Sequence, residues 1–305
     1  MTPGFLHLHT LSEDVEWLHM CIRHSETSTY LMDVAMLNDL IVDALIEEDT
    51  RSRIRLHDNG LMVLLKAMHT QSGDMARPED MVSIRVWIDP GRVITTREAD
   101  VDPILVLARR VEDGEGPTSP GGFLADLIEE HLKEVDDHVE QLEDAVDATE
   151  AMIARHLTEA ACPDMADLQT RISGFLRHLR PQQPVLERLS TCEHGVLNMR
   201  DRARLDDSLN DLLRYLETLQ SLRERIDILN DQVSRIQDRR LNRSSYAFAV
   251  AATVFLPLGF LTGLFGVNLM GIPLAEHPQG FAILLGICIA VLVAILIMLR
   301  SIRWL

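Results

Sequence analysis

Apolar and polar positions follow three different periods along this chain, and each period predicts its own kind of structure. Up to about residue 115 the apolar runs are short. Leu37, Leu40, Ile41, Ala44 and Leu45 recur at helical spacing, which predicts a short helix over 37–46. Arg53 to His57 and Leu61 to Leu65 are strand-like runs on either side of Asp58-Asn59-Gly60, and Asn-Gly between such runs is the strongest short hairpin signal. Val82 to Ile88 alternates, Asp89-Pro90-Gly91 turns, and Arg92 to Thr96 returns, a second hairpin. Ile104 to Val111 reads as helix, and 112–122, rich in Gly and Pro, as a linker. Residues 1–115 are therefore expected to form an α/β domain with at least four strands.

From Phe123 the strand signal stops and a 3.6-residue period takes over. Leu124, Leu127, Ile128, Leu132, Val135, Val139, Leu142, Val146 and Ile153 mark one face of a long helix, with Glu129, Glu130, Asp136, Glu140, Asp147 and Glu150 among the acids on the other. A second helix runs from Met165 to about Leu179, Arg180-Pro-Gln-Gln-Pro184 breaks it, and Val185 to Leu197 resumes. These elements make 116–200 a helical segment. Leu209, Leu212, Leu216, Leu219, Leu222, Ile226, Leu229, Val233 and Ile236 then step by three and four, close to a coiled-coil seam. Such a seam packs either within one subunit or also against neighbours. No Gly or Pro interrupts Asp201 to Leu256, so one stalk helix is expected to continue into the next apolar stretch as a single element, 201–266.

That stretch, Tyr246 to Phe265, has twenty residues without a charge, and Phe281 to Leu299 has nineteen more. At 1.5 Å per residue each reaches about 30 Å, the thickness of a bilayer's hydrocarbon core. Arg239, Arg240 and Arg243 precede the first span and Arg300 and Arg303 follow the second, while the loop 267–280 contains no Lys or Arg. By the positive-inside rule both termini face the cytosol, with that basic belt at the inner surface and 281–305 as the second span and tail. Topology and lipid headgroups account for the belt in full. The N-terminal thirty residues contain charges and histidines throughout and no apolar signal core.

Charge narrows the partners. The formal net charge is −18, and all but one of the 47 acidic residues precede the first span. An acidic cytosolic part disfavours nucleic acid and suits accumulation of cations, though acidic surfaces also serve solubility alone. Cys21, Cys162, Cys192 and Cys288 are scattered without a C-x-x-C pair, as in reduced cytosolic proteins. Catalytic signatures such as G-x-S-x-G, the P-loop and H-E-x-x-H do not occur, so the reading is of a non-enzyme without a resident cofactor.

A hairpin of two spans cannot enclose a polar pathway, so any polar cargo requires several copies around an axis. The second span is almost entirely Leu, Ile, Val and Ala and suits lipid. The first contains Thr253, Pro257, Gly259, Thr262 and Gly263 and ends in Gly266-Val267-Asn268. Thr253, Pro257 and Thr262 are candidate pore-lining positions, and a ring of Asn268 amides would meet a cation that keeps part of its water. Glu276-His277 in the loop is either a transient capture pair for zinc or a solvated turn. His7 and His9, on a presumed strand, share one face and are a candidate metal pair, although twelve histidines make such a pair unsurprising.

Leu256 to Asn268, continuing through Leu-Met-Gly-Ile-Pro273, resembles the end of the first span and the outer loop of the CorA-type divalent-cation transporters, whose signature is Gly-Met-Asn. The ending Arg300-Ser-Ile-Arg-Trp-Leu305 is similar to that family's basic Trp-Leu tail. Arg85 to Thr96 and Phe175 to Gln183 look like the ZntB zinc branch. The resemblance implies a homopentamer with an αβα cytosolic funnel, a stalk helix that becomes the pore-lining span, and an outer second span. Carried over by position, Gly266, Val267 and Asn268 form the selectivity mouth, with Asn268 holding a hydrated metal ion. Val267 replaces the family's usual Met, a substitution that ZntB-like members accept and that speaks against Mg2+; Zn2+ is the favoured cargo, with Mg2+, Co2+ and Ni2+ as alternatives. With no ATP-binding signature, a membrane potential negative inside makes uptake across a bacterial inner membrane the expected direction, and the resemblance implies proton coupling as an open alternative to a channel. A CorA-type magnesium/cobalt channel is the alternative within the family, and a membrane-anchored cytosolic sensor or scaffold the alternative outside it.

Overall fold

Six strands form a single sheet in the computed structural model, which describes residues 6–48, 51–69, 81–156, 165–266 and 278–301. They are β1 (Leu6–Ser12), β2 (Val15–Cys21), β3 (Arg53–His57), β4 (Gly60–Met68), β5 (Met81–Asp89) and β6 (Arg92–Arg97). Their spatial order is β1-β2-β6-β5-β4-β3. Every neighbouring pair is antiparallel except β2–β6, which is parallel. A parallel pair requires a crossover, and here the chain between β2 and β6 supplies α1 (Glu26–Asp33), α2 (Asp39–Ile46) and the β3–β5 meander.

Both predicted hairpins form, with one correction. Asp58 and Asn59 make the turn of the first, and Gly60 is already in β4, paired with His57. The reason is packing: a Cβ on Gly60 would lie 2.7 Å from the Trp87 ring and would collide with the Ile88 carbonyl. The glycine therefore admits Trp87 rather than bending the chain. The presumed strand of His7 and His9 forms as β1, and β2 and α1, which periodicity did not reveal, complete this part of the fold.

The sheet is covered on both faces. Leu18, Met20, Met62, Leu64, Trp87 and Ile94 form a buried cluster with Leu31 of α1 and Ile41, Val42 and Leu45 of α2. The other face meets α3 (Asp102–Glu112) and α4 (Pro120–His156), with Trp17 against Phe123 at 4.7 Å between ring centres. This is the expected αβα arrangement. The linker is shorter than predicted, because α4 begins at Pro120. After α4 come α5 (Met165–Leu179), a 3-10 turn over Arg180–Gln182, and α6 (Gln183–Thr191). The last of these stops before the predicted Leu197, where His194 Nε2 lies 2.8 Å from the His57 carbonyl oxygen. Gln182 is buried and ties the break to two layers, contacting His131 of α4 at 3.1 Å and donating to the Lys66 carbonyl at 2.9 Å.

A single α-helix, α7, runs from Met199 to Phe265, 67 residues with Pro257 inside it. Its start is a reciprocal capping box: the Asp201 N–H donates to Asn198 Oδ1 (2.9 Å) and the Asn198 N–H to Asp201 Oδ2 (3.1 Å). Leu212, Leu216, Leu219, Leu222, Ile226 and Leu229 are buried within one chain, so the predicted seam is intramolecular to that point. Val233 and Ile236 are only half-covered. Arginines on α7 reach acids on α4 at three levels: Arg204 to Asp126 and Glu129, Arg214 to Asp136, and Arg225 to Asp147 and Glu150. The rungs advance in the same direction and by matching steps along both helices, which makes them parallel neighbours. The chain divides into two compact units, Met1–Asn230 and Asp231–Leu305, with α7 contributing to both and α8 (Gly280–Ser301) to the second.

Candidate ion-conducting segment

The end of α7 and the whole of α8 are built for a solvent other than water. Each contains a window long and apolar enough to cross a membrane, and almost none of either window is buried. Phe248, Phe255, Leu256 and Phe260 of α7 are 68–74% exposed and Phe281 of α8 is 79% exposed. An isolated chain in water would leave this surface uncompensated, at about 1.5–3 kcal/mol for each large side chain. Lipid or further copies of the chain must cover it.

The small amount of cover is not random. On α7 the half-covered residues are Ala249, Val250, Thr253, Val254, Pro257, Leu258, Leu261 and Phe265, a stripe at helical spacing. On α8 they are Gly280, Leu284, Cys288, Val291, Leu292 and Ile295, with Leu299 buried, another such stripe. Each of the two helices thus has one half-covered side. The opposite, open side of α7 carries Phe248, Ala252, Phe255, Gly259, Thr262, Gly263 and Gly266.

The three candidate lining residues therefore do not share a side. Thr253 and Pro257 lie on the covered stripe and Thr262 on the open one; nine residues separate the two threonines, two and a half turns. Both hydroxyls are satisfied inside the helix. Thr253 donates to the Ala249 carbonyl at 2.8 Å, and Thr262 donates to that of Leu258 at 3.0 Å with Gly259 O at 3.2 Å. Their oxygen lone pairs stay available as acceptors. Pro257 has no N–H to give the Thr253 carbonyl, a freed acceptor at membrane depth.

The open side becomes smaller toward the end of α7. Gly259 and Gly263 have no neighbours within 4 Å of a notional Cβ, whereas at Gly266 a Cβ would sit 3.0 Å from the Thr262 carbonyl oxygen. The Gly266 N–H reaches back to Gly263 O at 3.2 Å, so the helix tightens as it ends. Val267, Asn268, Glu276 and His277 lie outside the described residues, as does Arg303. Arg239, Arg240, Arg243 and Arg300 are exposed. His7 and His9 are on β1, the first exposed and the second half-buried. Among the described residues no three His, Cys, Asp or Glu side chains converge as a closed metal site.

The profile of the CorA-like Mg2+ transporter protein family matches residues 12–301. The chain is 34% identical over 278 residues to the divalent cation transporter CmaX of Pseudomonas aeruginosa, covering 90% of this chain and 82% of that protein. Its fold superposes on the solved full-length CmaX with a TM-score of 0.82 over 95% of this chain and 89% of that one, at 33% identity. It is 29% identical over 290 residues to the zinc transport protein ZntB of Yersinia enterocolitica, covering 95% of this chain and 88% of that protein. The magnesium transporter CorA of Methanocaldococcus jannaschii shares the fold over the full length of both chains, with a TM-score of 0.81 at 15% identity.

Proposed function

The chain belongs to the CorA-like Mg2+ transporter family, and from that premise we propose that it carries zinc into the bacterial cytosol along the axis of a homopentamer. At the level of the family it is a divalent-cation transporter and not an enzyme. The observation that carries the finer reading is the two-sided first span: one side of α7 is half-covered, and the other, lined by Gly259, Thr262, Gly263 and Gly266, is left open. Several copies with that side turned inward would surround a narrow polar-tipped path, and α8 would meet lipid. Thr262 is then the lining hydroxyl, Thr253 and Pro257 serve the α7–α8 contact, and Phe248 and Phe255 form an apolar constriction below. Gly266, Val267 and Asn268 make the outer mouth, where a ring of amide oxygens meets a hydrated ion.

The likeness to zinc transport proteins over nearly the whole chain and the Val at 267 support zinc as cargo. Glu276-His277 beside the mouth offers nitrogen, which Zn2+ accepts and Mg2+ does not. Arg239, Arg240, Arg243, Arg300 and Arg303 are assigned to the cytosolic membrane surface. A potential of 100 mV, negative inside, favours entry by about 2.3 kcal/mol per charge and twice that for a divalent ion, so uptake is the direction. The magnesium reading has one observation in its favour, the description of the family itself. Competition decides: with radiolabelled zinc entering proteoliposomes, equal excesses of Zn2+, Co2+ and Ni2+ are expected to suppress uptake far more than Mg2+. Suppression by Mg2+ as strong as by Zn2+ would move the cargo to magnesium.

A further inference from the structure

We infer that the β1–β2 edge of the sheet holds a two-histidine clip, His7 and His19, for a nitrogen-seeking divalent transition-metal ion. The residues face each other directly in the β1–β2 register, and their ring centres are 6.3 Å apart. A metal at about 2.0–2.1 Å from an imidazole nitrogen lies roughly 3.2 Å from the ring centre, so two rings sharing one ion stand about 5–6.4 Å apart. The observed separation is at the upper end of that span, and a small rotation of His7 brings it to the middle.

His19 is the side chain that asks for a ligand. Its neighbour in the register on the other side is Thr95 of β6, and its Nδ1 lies 2.7 Å from Thr95 Oγ1, which also accepts the Trp17 Nε1–H at 2.8 Å. Two strands therefore fix the ring. Its Nε2 is buried and meets no hydrogen-bond partner among the described residues, a condition that usually signals an ion or a water. A neutral imidazole is the form that binds metal. An Nδ1–H donated to Thr95 would leave Nε2 with a bare lone pair, the arrangement that orients metal-bound imidazoles.

His7 is exposed on the edge strand and gives an ion access from solvent. His9 is engaged elsewhere, stacked on Trp17 at 4.7 Å. With no third protein ligand converging among the described residues, water entering from the exposed His7 side would complete the shell, and the ion would be exchangeable from that side. Two imidazoles select Zn2+, Co2+ or Ni2+ and reject Mg2+. The clip would let the sheet respond to the same class of ion that the spans are proposed to carry, yet it stands on the sheet's geometry alone.

Trp17 supplies the probe, because its ring centre is 5.9 Å from that of His19 and paramagnetic Co2+ quenches a nearby indole. The full chain in detergent is titrated with Co2+, then with Zn2+ or Mg2+ as competitor, in wild type, His7→Ala, His19→Asn, His9→Ala and Asn268→Ala. Asn keeps a group for Thr95 at the place of Nδ1 but has nothing at the place of Nε2. Saturable quenching, reversed by Zn2+ and not by Mg2+, is expected in wild type, His9→Ala and Asn268→Ala, and is expected to be lost in the His7 and His19 variants. Its absence from wild type, as a buried water alone would give, overturns the proposal. So does its persistence in His7→Ala or His19→Asn, or its loss in Asn268→Ala. Because no ion gradient is involved, the outcome is independent of whether zinc is transported.

Discussion

Glu134 of α4 makes the fold sensitive to pH in a direction opposite to most carboxylates. Its Oε2 is buried without a hydrogen-bond partner among the described residues. Desolvation first, then the Asp102 and Asp137 carboxylates, push its titration up from 4.5 to about 8. An unfolded chain releases that proton near 4.5, so between about 4.5 and 8 the folded state holds a proton that the unfolded state has lost. Stability contributed by the neutral form is complete below the lower value and falls as pH rises, by up to ~1.4 kcal/mol per pH unit, until about pH 8. Allowing for the access this side chain retains, the loss at pH 8 amounts to about 2–4 kcal/mol. Glu134→Gln keeps the shape and removes the ionisation. Thermal unfolding of the detergent-solubilised chain should show the two proteins close together at pH 5. At pH 8 the variant should melt higher by roughly 5–10 °C. A difference in melting temperature that stays constant from pH 5 to pH 8, or a variant that is less stable at pH 8, would refute the reasoning.

Other substitutions test the packing and the open side of α7. Arg204 donates to Glu129 through Nε and Nη2, both at 2.7 Å, and to Asp126 at 2.5 Å, and the Asp126 side chain is only 7% exposed. Arg204→Met leaves Arg110 as the remaining partner of Asp126 and should cost about 2–4 kcal/mol, read as a shift in denaturant midpoint; an unmoved midpoint contradicts it. At Gly121 an added Cβ would collide with the Asp201 carboxylate and the Val196 carbonyl, so Gly121→Ala should destabilise by about 1–3 kcal/mol, and a melting temperature equal to wild type would count against the tight junction of α4 and α7. In proteoliposomes Gly259→Leu, on the open side, should lose most zinc uptake while Phe260→Leu keeps it; equal uptake by both would mean that the open side does not line the path.

How much was legible in the sequence depended on whether a signal was local. The spans declare themselves because twenty uncharged residues have no other good solvent, and α7 reads as one helix because nothing in Asp201 to Leu256 interrupts it. The two central hairpins carry their own turn residues. β2 escaped notice because its polar residues obscure the alternation and its parallel partner β6 is more than seventy positions away. Gly60 looked like a turn residue and proved to be a packing residue, a distinction that requires knowing where Trp87 lies. At the candidate site, Gly266-Val267-Asn268 was readable as a motif. The sidedness of the span was not, because Thr253 and Thr262 look equivalent until the half-covered and open sides of α7 are known. His19 was overlooked entirely: its orphaned nitrogen exists only once β1, β2 and β6 lie side by side, although the register of His7 could have suggested it had the β1–β2 hairpin been predicted.

The proposed transport requires a cation path that exists only between copies of the chain and ends at Asn268. Its most direct test is zinc entry into proteoliposomes held at a negative internal potential, comparing wild type with Asn268→Ala after both have been verified to have the same oligomeric size. Uptake well above empty vesicles for the wild type and loss of most of it in the variant is the predicted result. Wild-type uptake no greater than that of empty vesicles, or a variant that transports as well as the wild type, would contradict it.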